Sequence, residues 1–202
     1  MSGKRFWDRI AKLYAPLMEK DASFYEEICD NIRPYLTKDM DVLELACGSG
    51  QLSFRLYRHT KSWMGTDFSH QMIAEAKKRG DYDGLSFAVA DATSLISDAE
   101  TFDCVVIANA LHIMPNPDEA MREIHRVLKP NGLLCAPTFL WTEEKPKKYM
   151  KTLMSLVGFK MYNEWNKEQF RDYVSEYGFS VVEITLVKGG LAPVGVLIAN
   201  KN

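Results

Sequence analysis

The stretch VLELACGSGQLS (42–53) combines one acidic residue with a glycine-containing loop. Gly48 and Gly50 allow backbone N–H groups to approach a ligand closely, which usually indicates a pyrophosphate site. A full dinucleotide fingerprint has a third glycine, and Ser53 stands at that position here. Glu44 ends the apolar run just before the loop, where a carboxylate repels a diphosphate and attracts a cation. The residues therefore favour a positively charged ligand.

S-adenosylmethionine meets both requirements, because its amino group and sulfonium are positive while its carboxylate can accept hydrogen bonds from loop amides. Asp67 ends the next apolar run, SWMGTD, at a distance typical of an acid that binds ribose hydroxyls. Asp91 and Ala92 follow a third run, where a carboxylate and a backbone N–H can bind adenine. Two alternatives stay open: Asp67 as a helix N-cap, with Ser69 able to take that role, and Asp91 as a turn former.

These polar residues require strands that end at one edge of a sheet. Apolar, β-rich runs predict five strands, and helical stretches between them predict crossovers, so we expect a doubly wound α/β fold with a mostly parallel sheet. Two further runs, joined too closely for a helix, predict an antiparallel C-terminal hairpin. The predicted strands are 41–46, 62–67, 85–90, 103–108, 132–139, 179–188 and 193–199, and the predicted helices lie near 50–59, 69–79 and 117–128.

The flanking segments differ in character from this core. Apolar residues recur at helical spacing from Phe6 to Leu17 and from Phe24 to Tyr35, which predicts a helical arm over 1–38. We interpret the chain as one domain with four parts. These are the arm, a cofactor-binding core over 40–139, a helical cap or substrate segment over 140–178, and a β-hairpin over 179–202.

Composition limits the function classes. The chain has 202 residues, 47% of them hydrophobic, and a net charge of −2. It lacks the basic footprint of a nucleic-acid-binding protein and any stretch long enough to cross a membrane. Its four cysteines are widely spaced and lie in apolar runs, so we expect buried thiols in a cytoplasmic protein, with no metal site. Pro130 is expected to stop a helix, and Asn131 and Gly132 to turn the chain into the fifth strand.

Five motifs in order, VLELACGSG, MGTDFSHQMI, FAVADATSL, FDCVVIANALHIMPNP and EIHRVLKPNGLL, resemble class I S-adenosylmethionine-dependent methyltransferases. The resemblance covers about 40–139 and the terminal hairpin, and is greatest to the small-molecule branch that includes the ubiquinone/menaquinone type. It implies a seven-stranded Rossmann-like sheet whose last strand is antiparallel. It also implies that Glu44, Gly48 and Gly50 hold the methionine moiety, Asp67 the ribose, and Asp91 with Ala92 the adenine. Ala46 replaces a glycine that is frequent in the family.

Other side chains are candidates for the site. His112 follows the fourth strand, where it could act as a general base, and the alternative is a histidine hydrogen-bonded into the strand-to-helix turn. Asn109 could orient substrate or contact the methionine moiety. The resemblance suggests that Tyr14 closes over the methionine end, although packing along its helix is an equal alternative. Cys47 could be reactive beside a helix N-terminus, but a space-filling role beneath the loop is favoured.

The sequence therefore predicts an S-adenosylmethionine-dependent methyltransferase that acts on a small, partly apolar molecule by in-line transfer. Two rivals are a non-catalytic S-adenosylmethionine-binding module and a nicotinamide-dependent reductase. Glu44 and the missing third glycine disfavour the reductase. The binding module stays open, because in-line methyl transfer makes no side chain mandatory.

Overall fold

The computed structural model describes residues 7, 8, 11, 22–141, 161–188 and 193–202. Their central feature is a seven-stranded sheet in the order β3-β2-β1-β4-β5-β7-β6. All neighbouring strands from β3 to β5 are parallel, and β7 is antiparallel to both β5 and β6. The strands are β1 (Asp41–Leu45), β2 (Ser62–Asp67), β3 (Leu85–Val89), β4 (Phe102–Ile107), β5 (Leu128–Phe139), β6 (Phe179–Val187) and β7 (Val194–Lys201).

Helices connect the strands and cover the sheet. Those described are α1 (Ala22–Ile32), α2 (Ser53–Leu56), α3 (His70–Lys77), α4 (Pro117–Val127) and α5 (Lys167–Glu176). Short 3-10 turns follow at Arg33–Tyr35, Tyr57–His59 and Leu111–Ile113. The Ser69 hydroxyl caps α3 by accepting from the Met72 N–H, and a capping box of Asn166 and Gln169 begins α5. These caps satisfy N–H groups that have no partner within the helix.

Two apolar layers hold the sheet, one on each face. Alternate residues of a strand point to opposite faces, so Leu43 and Leu45 join the layer that contains α4 and α5, while Val42 joins the layer that contains α1 and α2. Glu44 lies on the same side of β1 as Val42. A third, smaller cluster under the glycine loop contains Cys47, Ile73, Ala76 and Phe87.

The observed fold confirms the predicted α/β class, including the antiparallel final strand. It corrects two predicted boundaries. The helix predicted near 50–59 is a short α2 followed by a 3-10 turn, and β5 begins at Leu128 rather than 132. The Lys129–Gly132 stretch lies within β5, because Leu128 already pairs with Phe102 before the register shifts between Phe102 and Cys104. Asn131 has a left-handed φ of 60° in this irregular start.

Candidate active site

The loop after β1 turns back sharply at the carboxyl edge of the sheet. Ala46, Gly48 and Gly50 all have left-handed backbones, with φ of 53°, 56° and 81°. The Cys47 N–H donates to the Thr66 carbonyl of β2, and the Gly50 N–H donates back to the Cys47 carbonyl. The loop is thereby tied to β2 before α2 begins.

The Glu44 carboxylate is buried below this loop, with 1% of the residue exposed. Its Oε2 accepts hydrogen bonds from the Ser53 hydroxyl of α2 and from the Trp63 Nε1 of β2, the latter at 2.8 Å. Burial raises the pKa of Glu44 to about 7, and the two hydrogen bonds oppose that rise. Among the described residues no basic side chain pairs with this carboxylate.

Asp67, the last residue of β2, connects the loop to the start of α3. Its Oδ2 accepts from the Gly48 N–H at 2.9 Å and its Oδ1 from the Ser69 N–H at 2.8 Å. Burial raises the pKa of Asp67, and both backbone hydrogen bonds oppose the rise. The Ser69 hydroxyl also donates to Asp8 Oδ1 at 2.5 Å. A residue near the N-terminus thus lies beside this strand end, and Ser69, not Asp67, is the helix N-cap.

Asp91 and Ala92 follow β3 in a tight turn. Asp91 is exposed and its Oδ1 accepts from both the backbone N–H and the hydroxyl of Thr93, at 2.9 and 2.7 Å. Ala92 is buried. The turn-forming role anticipated for Asp91 is therefore present, and it leaves the carboxylate accessible to solvent.

His112 lies in the 3-10 turn after β4 and is 1% exposed. Its Nδ1 is 3.0 Å from the Thr138 hydroxyl of β5, and its ring meets the Phe139 ring edge to face at 4.9 Å. Burial lowers the pKa of His112 to about 3. A neutral imidazole with so low a pKa is a weak proton acceptor at pH 7, which argues against the general-base role.

Asn109 also lies at the end of β4. It has a left-handed φ of 52°, and its N–H donates to the Pro137 carbonyl at 2.7 Å. Its Oδ1 is buried and accepts no hydrogen bond from the described residues. Tyr14 and most of the predicted cap lie outside the described residues.

Comparison with known proteins identifies this arrangement. A family described as a methyltransferase domain matches residues 43–136. The chain is 28% identical to demethylmenaquinone methyltransferase of Staphylococcus saprophyticus over 189 residues, which cover 79% of this chain and 81% of that protein. The family match extends over the loop, Glu44, Asp67 and His112. These matches support a class I S-adenosylmethionine-dependent methyltransferase.

Solved structures of methyltransferases have the same fold. A putative methyltransferase in a complex with the Haloferax volcanii Trm112 activator has a TM-score of 0.81 at 19% identity, with 96% of each chain covered. Magnesium protoporphyrin IX methyltransferase from Synechocystis, with bound S-adenosylhomocysteine, has a TM-score of 0.71 at 16% identity, covering 89% of this chain and 84% of that one. The predicted enzyme class and cofactor are confirmed, and no finding favours a reductase or a non-catalytic module.

In this methyltransferase the sheet order brings the predicted residues to one edge. The ends of β3, β2, β1 and β4 are neighbours, so Asp91, Asp67, Glu44 and His112 lie at or just after the ends of adjacent strands. Cys47 is buried, and burial raises the pKa of its thiol well above the usual value, which supports the space-filling role. The described residues contain no group of three or more metal-ligating side chains and no helix long and apolar enough to span a membrane.

Sequence reasoning did not predict the contacts of four residues with the candidate site residues: Ser53, Trp63, Thr138 and Asp8. Thr138 could have been found, because it is the polar residue near the carboxyl end of the fifth predicted strand. Ser53 had been noted only as a missing glycine, yet its hydroxyl binds Glu44. Nothing in the local sequence of Trp63 or Asp8 indicates their contacts, which depend on strand pairing and on the position of the arm.

Proposed function

We propose that this methyltransferase transfers a methyl group to a small, partly apolar molecule, with the cofactor bound across the ends of β1, β2 and β3. The observation that carries the assignment of the site is the buried Glu44 carboxylate, which accepts hydrogen bonds from Ser53 and Trp63 but has no cationic partner among the described residues. A buried carboxylate of this kind is stabilised by a positive ligand. S-adenosylmethionine supplies positive charge on its amino group and its sulfonium.

The surrounding residues fit the rest of the cofactor. Gly48 and Gly50 allow the left-handed turns of the loop, whose own N–H groups at these two residues donate to Asp67 and to the Cys47 carbonyl, and we propose that this loop lies against the methionine moiety. Asp67 is already oriented by two backbone N–H groups, and carboxylate oxygens can accept more than one hydrogen bond, so it can also accept from ribose hydroxyls. Asp91 is accessible for an adenine amine, with the Ala92 N–H beside it. Ala46, Asn109 and Tyr14 complete the proposed cofactor site.

The cofactor supplies an electrophilic methyl group, so the chain itself has to hold, align and shield the reactants. Glu44 and Asp67 hold the cofactor by charge and hydrogen bonding. The glycine loop fixes orientation, because its backbone is tied to β2 through the Thr66 carbonyl. Asp8 of the arm and the returning segment 161–166 lie close to this edge, and we assign the exclusion of water to these parts of the chain. Tyr162 and Asn163 N–H groups both donate to the His112 carbonyl, at 2.9 and 3.1 Å.

Three observations support a small, partly apolar acceptor. The chain has no excess of basic residues that would favour nucleic acid. In the region after β4 and β5, Met114 lies two residues after His112, and the Phe139 ring contacts the His112 ring. The relative from Staphylococcus saprophyticus is named for demethylmenaquinone. We therefore propose an aromatic or lipid-like acceptor.

Calorimetric titration with S-adenosylhomocysteine tests the cofactor site. Glu44→Gln and Asp67→Asn should each weaken binding roughly tenfold or more, as expected for a lost charged contact. Asp41→Asn is the matched control, because Asp41 begins β1 at the opposite edge and pairs with Lys61 at 2.8 Å. Unchanged affinity in Glu44→Gln would remove Glu44 from the site. Methyl transfer from labelled cofactor to reduced naphthoquinones tests the acceptor class.

A further inference from the structure

The His112 side chain has one hydrogen-bonding atom that the fold does not use. Its Nδ1 meets the Thr138 hydroxyl at 3.0 Å, but its Nε2 is buried and has no hydrogen-bond partner among the described residues. Buried polar atoms in proteins nearly always have a partner, and leaving one without costs about 1–3 kcal/mol. An unused atom at this position therefore points to a ligand that is absent here.

The contact with Thr138 decides which ring nitrogen carries the hydrogen. If the Thr138 hydroxyl donates to Nδ1, only the Nε2–H is left unpaired. If instead Nδ1–H donates to Thr138, both the hydroxyl hydrogen and the Nε2 lone pair lack partners among the described residues. The first arrangement leaves fewer buried groups unsatisfied, so the ring is neutral with its hydrogen on Nε2.

The position of His112 relates this N–H to the acceptor. The residue follows β4, the strand next to β1, and contacts the end of β5 through Thr138 and Phe139. Its carbonyl also holds the returning segment through Tyr162 and Asn163. Glu44, on β1, belongs to the proposed methionine site. His112 is thus on the side of that site away from Asp67 and Asp91, where an acceptor has to reach the methyl group.

We propose that His112 recognises the methyl acceptor by donating a hydrogen bond from its neutral Nε2–H to an oxygen atom of that molecule, and that Thr138 is the positioning residue that fixes the ring. This inference rests on the proposed function and narrows the acceptor to oxygen-bearing molecules such as phenols, enols or alcohols. A cationic ammonium group cannot accept this hydrogen bond, because it has no lone pair.

The aromatic and apolar residues near His112 indicate that the acceptor also has an apolar part. Phe139 packs against the His112 ring and the apolar layer of α1 and α2, and Met114, two residues after His112, is partly buried against the layer of α4 and α5. A single N–H donor in such surroundings discriminates strongly between ligands that do and do not offer an oxygen, since an apolar ligand leaves the donor unpaired. The low pKa of His112 keeps the ring neutral through the physiological range.

Nitrogen NMR of the full chain tests the ring state directly. The protein has four histidines, so with ¹⁵N-labelled histidine the spectrum of His112→Gln assigns the His112 ring by difference. We expect Nε2 to carry the hydrogen and the ring to stay neutral down to pH 5. In Thr138→Val the hydrogen should redistribute between the two nitrogens. A ring with its hydrogen on Nδ1, or one that titrates between pH 5 and 8, overturns the inference.

Binding of two ligands of the same shape tests recognition. Protein saturated with S-adenosylhomocysteine is titrated with 1-naphthol and with 1-methylnaphthalene, which replaces the hydroxyl by a methyl group. The naphthol should bind roughly tenfold more tightly, as expected for one hydrogen bond to an otherwise unpaired donor. His112→Phe should abolish this preference, and His112→Gln, which retains an N–H donor, should keep part of it.

The two failures are distinguishable. If the unaltered protein does not bind S-adenosylhomocysteine, the proposed cofactor site is refuted. The two naphthalenes are then compared on the protein without S-adenosylhomocysteine. If the protein binds S-adenosylhomocysteine but binds the two naphthalenes equally, or binds neither, only the inference about His112 is refuted. A preference that survives in His112→Phe also refutes it. His70→Gln, an exposed residue of α3, is the matched control and should leave the preference unchanged.

Discussion

The indole of Trp63 donates a 2.8 Å hydrogen bond to the carboxylate of Glu44 on the neighbouring strand, and both residues are 1% exposed. Trp63 is two residues before Gly65, the register partner of Glu44 on β2. The pair sits on the α1 and α2 side of the sheet, below the glycine loop. A buried acid is thus held ready for a cationic ligand by neutral donors rather than by a basic residue.

Replacing Trp63 by phenylalanine removes the donor while keeping an aromatic ring. We expect Trp63→Phe to raise the pKa of Glu44 further, to weaken S-adenosylhomocysteine binding at pH 7, and to reduce the free energy of unfolding by about 1–3 kcal/mol. Urea denaturation and calorimetry measure these effects. Trp165→Phe is the control for loss of an indole N–H, since Trp165 stacks on Tyr173 and packs against the layer of α4 and α5, on the other face of the sheet from Glu44. Equal binding by Trp63→Phe and the unaltered protein would contradict the prediction.

Glu44 makes the stability of the ligand-free protein depend on pH. Its pKa is about 7 in the fold and ordinarily 4.5, so between these values the folded state binds more protons than the unfolded state. The contribution of Glu44 to the free energy of unfolding therefore falls as pH rises from 4.5 to 7, by up to about 3 kcal/mol. Between pH 5 and pH 8 the free energy of unfolding, measured by denaturation, should fall less in Glu44→Gln than in the unaltered protein. Asp41→Asn should not reduce this loss, because ion pairing lowers the pKa of Asp41.

Cofactor binding should release protons near pH 7. A cationic ligand beside Glu44 favours the ionised carboxylate, so the pKa of Glu44 falls on binding and its proton leaves. Calorimetry of S-adenosylhomocysteine binding at pH 7 in buffers of different ionisation enthalpy measures this release. We expect a substantial fraction of one proton in the unaltered protein and less in Glu44→Gln. Identical release in both proteins would assign the proton to another group.

Ala46 is a non-glycine residue in the left-handed region, with φ of 53°. This conformation costs an alanine about 1–2 kcal/mol, whereas glycine adopts it freely. Glycine also makes the unfolded chain more flexible, which lowers the free energy of unfolding by about 0.4–1 kcal/mol. Ala46→Gly should therefore raise the free energy of unfolding by about 0.5–1 kcal/mol, measured by urea denaturation. Asn131→Gly, at φ of 60°, should give a smaller gain because asparagine tolerates this region. A destabilised Ala46→Gly would show that the methyl contributes more by packing.

Gly65 lets the Phe87 ring cross β2 beneath the loop. A Cβ on Gly65 would lie 2.7 Å from Phe87 Cε1 and 3.2 Å from Cys47 Sγ. We expect Gly65→Ala to reduce the free energy of unfolding by about 1–3 kcal/mol through overpacking. Phe87→Leu in the same protein should restore part of that loss, and a double-mutant cycle with the two single variants measures the coupling. If the losses of stability in the two single variants simply add in the double variant, the alanine side chain at position 65 is not limited by its contact with Phe87.

Most of the fold could be predicted from local patterns. The uninterrupted apolar runs around Val42 and Val105 indicated buried parallel strands, and the short connection between 187 and 194 required an antiparallel pair. The start of β5 could not be predicted, because Pro130 and Asn131 indicate a turn locally. Pairing of Leu128 with Phe102 extends the strand across them.

The strand-end positions of the charged candidate residues were predictable, whereas their hydrogen-bond partners were not. Glu44 and Asp67 stand at strand ends, and a rule about sheet edges places them together. The burial of Glu44 against Trp63 depends on the register of β1 and β2, which no spacing in the sequence reveals. The same is true of His112: its position at the edge was predicted, but its burial, which lowers its pKa, depends on packing against β5.

The backbone N–H of Trp141 donates to the carbonyl of Trp165 at 2.9 Å, so the chain leaves the end of β5 and returns to the core through touching residues. The two ends of the intervening sequence are thus already joined. That stretch can be exchanged between homologous enzymes, or cut down to a short linker, with little entropy cost of closure and without altering the sheet. A change of methyl acceptor during evolution could therefore occur by replacing the sequence between Trp141 and Trp165, while the cofactor-binding strands stay unchanged.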